Sequence, residues 1–124
     1  MSRKTRTSGR ELSCRMYCID RALLDDEVWM RNIFLEALRQ GGLIIKRLTL
    51  DKLAPSGFSA TALLGEYYAR FDCFPAHDSV AFHICSDSSD ERGERVRSYL
   101  VEKLNPGEVS NYDGFLGMYP EEES

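Results

Sequence analysis

Apolar and polar positions alternate along this chain with two periods, and the period changes mark its elements. From Leu12 to Ile19 the alternation is strict, with Leu12, Cys14, Met16 and Cys18 on one side, which predicts a strand with one buried face. Further on, Met30, Ile33, Phe34, Ala37 and Leu38 recur at helical spacing. Asp25, Asp26 and Glu27 suit the positive end of that helix, and Gly41-Gly42 stops it. The branched run Leu43 to Leu50 predicts a second strand, and Pro55-Ser56-Gly57 a turn. Phe58 to Leu64 alternates Phe58, Ala60, Ala62 and Leu64 against Ser59, Thr61 and Leu63, a third strand. Tyr67 to Phe74 and Ser79 to Cys85 form a hairpin through Pro75-Ala76-His77-Asp78. Ser88-Ser89-Asp90-Glu91 resembles a capping box ahead of a second helix with Val96, Tyr99, Leu100 and Leu104 as its stripe, ended by Asn105-Pro106-Gly107. A short strand is expected near Glu108 to Ser110.

Two helices separated by a run of hairpin-connected strands imply an α+β fold. The expected architecture is a two-layer sandwich, a mostly antiparallel sheet with both helices on one face. Apolar residues on both strand faces leave the second sheet face in need of cover, and another copy of the chain is the expected source.

Composition narrows the function. The 124 residues are 43% apolar and 29% charged, which fits one domain with a single core. The expected division is a basic, disordered head over 1–11, a domain over 12–112 and an acidic tail over 113–124. Arg3, Lys4, Arg6, Arg10 and Arg15 supply the basic charge near the start, and Glu121 to Glu123 close the chain. A net charge of −4 argues against a nucleic-acid partner, which requires a clustered basic surface. No run approaches the roughly 18 apolar residues of a membrane span, so the expectation is a cytoplasmic protein with no membrane partner. Cys14, Cys18, Cys73 and Cys85 lack zinc-ribbon spacing and are read as free thiols.

Residues 56 to 86 carry a resemblance. Gly57-Phe58-Ser59, Leu63-Leu64-Gly65-Glu66, Pro75 and Phe82-His83-Ile84-Cys85, in this order and spacing, resemble the short prokaryotic S-adenosylmethionine decarboxylases. These are pyruvoyl enzymes of spermidine biosynthesis. The likeness runs roughly from Leu12 to Leu104 and implies the same α+β sandwich. It also implies self-cleavage between a glutamate and a serine, the serine becoming the pyruvoyl group.

The departures fall on that chemistry. Glu66 stands at the glutamate position, but Tyr67 stands where the resemblance puts the serine. Self-cleavage needs a hydroxyl on Cβ to attack the preceding carbonyl through a five-membered ring. The tyrosine oxygen lies across an aromatic ring and cannot do so, hence no pyruvoyl cofactor is expected. Tyr68 and Asp72 replace family histidines, and Ala76 replaces an acidic residue tied to substrate binding. Ser59 matches a serine that assists processing, and Cys85 a cysteine that donates a proton, with the Pro75 to Cys85 segment two residues shorter than in the family.

Each candidate has a plainer reading. Cys85 could be a small buried thiol, or an acid or nucleophile served by His83 two residues away on the same face. Ser59 could simply bond backbone. Cys73, His77, His83 and Cys85 suit zinc in ligand type though not in spacing, and no metal is assigned. Glu66 with Tyr67 and Tyr68 could pack, or could line a pocket for a cationic ligand. Trp29 is read as core or interface. The leading expectation is a pseudoenzyme related to S-adenosylmethionine decarboxylase and linked to polyamine metabolism. It would bind a nucleoside or polyamine-type molecule and form a homodimer, or a heterodimer with an active homologue. The alternative is an enzyme of different chemistry built on Cys85 with His83, or on a bound metal.

Overall fold

The computed structural model describes residues 9–87 and 90–116, the last two by their backbone alone. The elements in order are β1 (Gly9–Tyr17), α1 (Arg21–Leu24), α2 (Glu27–Gln40), β2 (Arg47–Lys52), β3 (Phe58–Leu63), β4 (Tyr68–Phe74), β5 (Ser79–Asp87), α3 (Arg92–Leu104) and β6 (Glu108–Leu116). The strands form one antiparallel sheet in the order β2-β3-β4-β5-β1-β6, with the helices packed on one face. The α+β sandwich expected from the sequence is therefore the fold, with three helices among the described residues where two were expected.

Period-2 alternation decides which side chains meet the helices. Leu12, Cys14 and Met16 of β1, Ala60 and Ala62 of β3, Ala69, Phe71 and Cys73 of β4, and Val80, Phe82 and Ile84 of β5 are all buried against Met30, Phe34, Ala37 and Leu38 of α2 and Val96, Leu100 and Leu104 of α3. Phe34 is the keystone, stacked on Phe71 at 5.0 Å between ring centroids and edge-on to Phe82 at 6.5 Å. The alanines of β3 and β4 leave room for these rings.

Several expectations shift. Cys18 lies past the end of β1 with φ 60° and is exposed, because the chain turns there towards α1 instead of continuing the alternation. The short helix α1 was not legible as a period, being only one turn; Asp20 caps it by accepting from the Ala22 amide at 2.9 Å. Asp26 caps α2 through the Trp29 amide at 3.0 Å, and Trp29 is half-buried against the core. The second strand begins at Arg47, not Leu43, since Leu43 and Ile45 lean on the core from a connection in which Ile44 is exposed. At α3 the Asp90 carboxylate accepts from the Arg92 amide at 2.9 Å, while Glu91, in the cap position, makes no such bond. Ser88 and Ser89 lie outside the described residues. The first strand starts at Gly9, and the last extends to Leu116 where only a short stretch to Ser110 was expected.

That longer pairing has an anchor. The Arg10 guanidinium holds Asp113 with Nε at 3.0 Å and Nη2 at 2.6 Å, reaches Glu94 of α3 at 2.6 Å, and donates from Nη1 to the Asp90 carbonyl at 3.1 Å. One cation thus ties β1, β6 and the start of α3 together. Gly57 serves the other side of the sheet: at φ 98°, a Cβ there would lie 2.2 Å from the Cys73 carbonyl, so only glycine lets the turn before β3 approach β4.

Replacing Phe34 by alanine removes the aromatic contact and leaves a cavity, and is expected to cost about 3–5 kcal/mol in urea unfolding. Arg10 holds the Asp113 carboxyl below the usual aspartate range. The stabilisation is therefore complete above an unfolded pKa of about 3.9 and is lost as pH falls through the lowered native value. Melting curves should show Asp113→Asn less stable than the unmodified chain at pH 7, with the gap closing as pH falls through the lowered native value.

Candidate functional site

The helices cover one face of the sheet, and Glu11, Ser13, Ser59, Arg70, Asp72, His83 and Cys85 stand on the other. Cross-strand register sets the neighbours there: Ser13 opposite His83, His83 opposite Arg70, and Arg70 opposite Thr61. One row along, Glu11 faces Cys85, and one row the other way Asp72 lies between Ser59 and Ala81. Leu63, Tyr68 and Tyr112 are the large apolar side chains exposed on this face.

Two hydrogen-bonded groups form. In the first, the Ser59 hydroxyl donates to Asp72 Oδ1 at 2.5 Å, and Arg70 Nε donates to the same oxygen at 3.0 Å. Ser59 is buried, and its partner is a carboxylate rather than the backbone expected from the sequence. In the second, His83 Nδ1 lies 2.9 Å from the Ser13 hydroxyl, while Nε2 lies 3.3 Å from Glu11 Oε2 and 3.4 Å from Cys85 Sγ. The Tyr68 ring lies 5.7 Å from the imidazole, and its hydroxyl bonds to Cys85.

The partners decide the protonation pattern. A carboxylate only accepts, so Nε2 carries hydrogen towards Glu11 and Nδ1 accepts from the Ser13 hydroxyl. That arrangement puts a hydrogen rather than a lone pair on the nitrogen facing Cys85. Burial pushes the Cys85 thiol up, with Glu11 adding to the rise and the Tyr68 hydroxyl opposing it. Tyr68 is also raised, by burial first and then by its bond to Cys85. As arranged, Cys85 and Tyr68 can give protons, and Cys85 is a thiol rather than a ready nucleophile.

The remaining candidates are distributed along the hairpins. Leu64 to Tyr67 form the β3–β4 turn, closed by the Leu64 amide donating to the Tyr67 carbonyl at 2.7 Å, with Gly65 at φ 100°. Tyr67 therefore sits in the turn, not in the strand expected to start with it, and Glu66 is exposed beside it. The Tyr67 phenol is pushed up by burial and by the charges of Asp87, Glu66 and Asp90. Within this turn no side chain bears a hydroxyl or thiol on Cβ. Ala76 lies in the opposite turn, at the far end of β4, about 20 Å away along the strand. Cys73 points into the core, its Sγ 3.7 Å from the Leu24 carbonyl, and His77 is exposed in the Pro75–His77 turn, so the four-residue zinc set is not assembled. Among the described residues no group of three His, Cys, Asp or Glu side chains is placed to hold a metal ion. No described helix is long and apolar enough to cross a membrane.

Glu11, Ser13 and Arg70 were missed as site residues. All three alternate with buried neighbours, a visible signal of the polar face, but which of them meets His83 is set by cross-strand register.

Comparison with known proteins bears on this arrangement. A family model described as S-adenosylmethionine decarboxylase matches residues 10–113. The S-adenosylmethionine decarboxylase proenzyme of Pyrobaculum arsenaticum is 26% identical over 116 residues, 91% of each chain. Proenzyme 1 of Bacillus anthracis is 26% identical over 101 residues, 80% of this chain and 76% of that one. Among solved structures, the adenosylmethionine decarboxylase of Aquifex aeolicus VF5 superposes with a TM-score of 0.81 at 18% identity, over 97% of this chain and 99% of the other.

The Cys85 environment makes a direct prediction. In a Cys18→Ser background, Glu11→Gln should move the pH profile of Cys85 alkylation by iodoacetamide to lower pH, and Tyr68→Phe to higher pH. Profiles that coincide would show that neither group reaches the thiol.

Proposed function

We propose that this chain, which belongs to the S-adenosylmethionine decarboxylase family, neither cuts itself nor decarboxylates through a pyruvoyl group, and serves polyamine metabolism as a binding and partner protein. The observation that supports this reading is the Leu64–Tyr67 turn, in which no side chain offers a Cβ hydroxyl to attack the Glu66 carbonyl, Tyr67 standing where the resemblance puts the serine. A pyruvoyl group does not fit the residues present in this turn. Tyr68 and Asp72, in place of family histidines, are engaged with Cys85 and with Ser59 and Arg70.

The uncovered face supports the rest of the reading. Its carboxylates, Glu11 and Asp72, and its aromatic Tyr68 suit a cationic nucleoside or polyamine-type ligand. Its exposed Leu63, Tyr68 and Tyr112 suit a second copy of the chain, or an active homologue, laid against the sheet in the cytoplasm. In such a pair the chain acts by differential binding, stabilising one state of its partner.

Intact-mass measurement tests the processing claim. A single species of 14.2 kDa is expected, whereas two pieces divided before Tyr67, the larger-numbered one with a blocked keto-acid terminus, would overturn it. Melting with millimolar S-adenosylmethionine or spermidine should raise the midpoint if either ligand prefers the folded chain. An unchanged midpoint would remove the ligand and leave the partner role.

A further inference from the structure

Where the chain leaves α2 for β2, the helix layer carries a concave and largely apolar surface. Asn32, Leu35 and Arg39 fall on one face of α2 at i, i+3 and i+7, and with Leu43, Ile44 and Ile45 of the connection they line a groove of about 580 Å³. Ile44 is 74% exposed, more than any other large apolar side chain among the described residues, and Val28, one turn before Asn32, is exposed as well. The charges here run against those of the whole chain. Glu36, the single carboxylate of the lining, is held by Arg39, whose Nε donates at 3.0 Å. Arg31 stands one turn from Leu35, and Lys46 and Arg47 follow Ile45; among the described residues none of these three has a carboxylate within 4 Å. A chain of net charge −4 thus gathers three unpaired cations about one apolar groove.

We propose that this groove docks an acidic amphipathic helix of another protein, whose apolar stripe enters beside Leu35 and Ile44 while carboxylates on its flanks meet Arg31, Lys46 and Arg47. Charge complementarity selects this occupant. A second copy applying the same patch would bring like charges together across the two-fold axis. A basic segment would meet three free cations and one carboxylate that is already engaged. The lining residues of α2 span about 10 Å of its axis, room for roughly two turns of a helix laid along it. Exposed ion pairs are worth little singly, so apolar contact supplies the affinity and the charges choose the partner. The groove belongs to the helix layer and does not depend on what the uncovered sheet face binds.

Titration of the full chain with synthetic helical peptides tests the docking. Three peptides share one leucine stripe and carry glutamate, glutamine or lysine at every polar position. The glutamate peptide is expected to bind about tenfold more tightly than the glutamine peptide and the lysine peptide most weakly, with NMR amide shifts confined to α2 and residues 41–47. Ile44→Asp should weaken the glutamate peptide about tenfold or more, and K46E/R47E should reverse the ranking of glutamate and lysine peptides. All three positions are exposed, so these variants are compatible with folding, and circular dichroism verifies each. A ranking that ignores the charge of the peptide, shifts that fall on Glu11, Ser13 and His83 instead, or no binding of the glutamate peptide at millimolar concentration would overturn the proposal. Association with phosphatidylglycerol vesicles that Ile44→Asp abolishes would give the groove to a lipid surface and overturn it equally.

Discussion

Phe34 docking onto Phe71 and Phe82 is the contact on which the arrangement of this molecule rests. It settles which face of the sheet goes dry, and strand periodicity then sends every other residue to the opposite side. Ser13, Ser59, Asp72, His83 and Cys85 are assembled on one surface because Leu12, Cys14, Ala60, Phe71, Phe82 and Ile84 are committed to the other. A register slip of one residue in β5 would exchange His83 and Cys85 for Phe82 and Ile84 and lose core and polar cluster together. The polar surface and the core are two readings of the same alternation.

The cluster on that surface has the components of acid–base chemistry in an arrangement that damps them. Glu11 engages the imidazole nitrogen that would otherwise draw the proton from Cys85, and Arg70 and Ser59 occupy the Asp72 carboxylate. Groups so thoroughly satisfied by one another would have to exchange partners before engaging any other molecule. The family resemblance and the local chemistry thus differ: the fold is that of the S-adenosylmethionine decarboxylase family, while the turn to which the resemblance points holds an aromatic side chain.

Much of this was legible in the sequence. The helical stripe of Met30, Phe34, Ala37 and Leu38 and the alternation of β1, β3, β4 and β5 are packing signals that the fold obeys, whereas Glu66, Tyr67 and Cys85 were singled out through the family resemblance. What escaped notice depends on register and on long-range partners. Glu11 was assigned to a polar head, yet it stands opposite Cys85. Arg10 looked like a solvated charge, and its three acceptors are 80 or more residues away in the chain. Cys18 continued the alternation on paper but falls where the backbone turns left-handed. The strand to Leu116 was underestimated because its partner, β1, lies almost the whole chain behind it.

The strand order has a further consequence at the Glu66–Tyr67 peptide. That bond divides the fold into β1, β2 and β3 with α1 and α2 on one side, and β4, β5 and β6 with α3 on the other. Because β1 lies between β5 and β6, and β4 lies against β3, the two halves are interleaved rather than merely adjacent. A nick in this turn would leave both pieces threaded through each other's hydrogen bonds, so the architecture can survive a scission there.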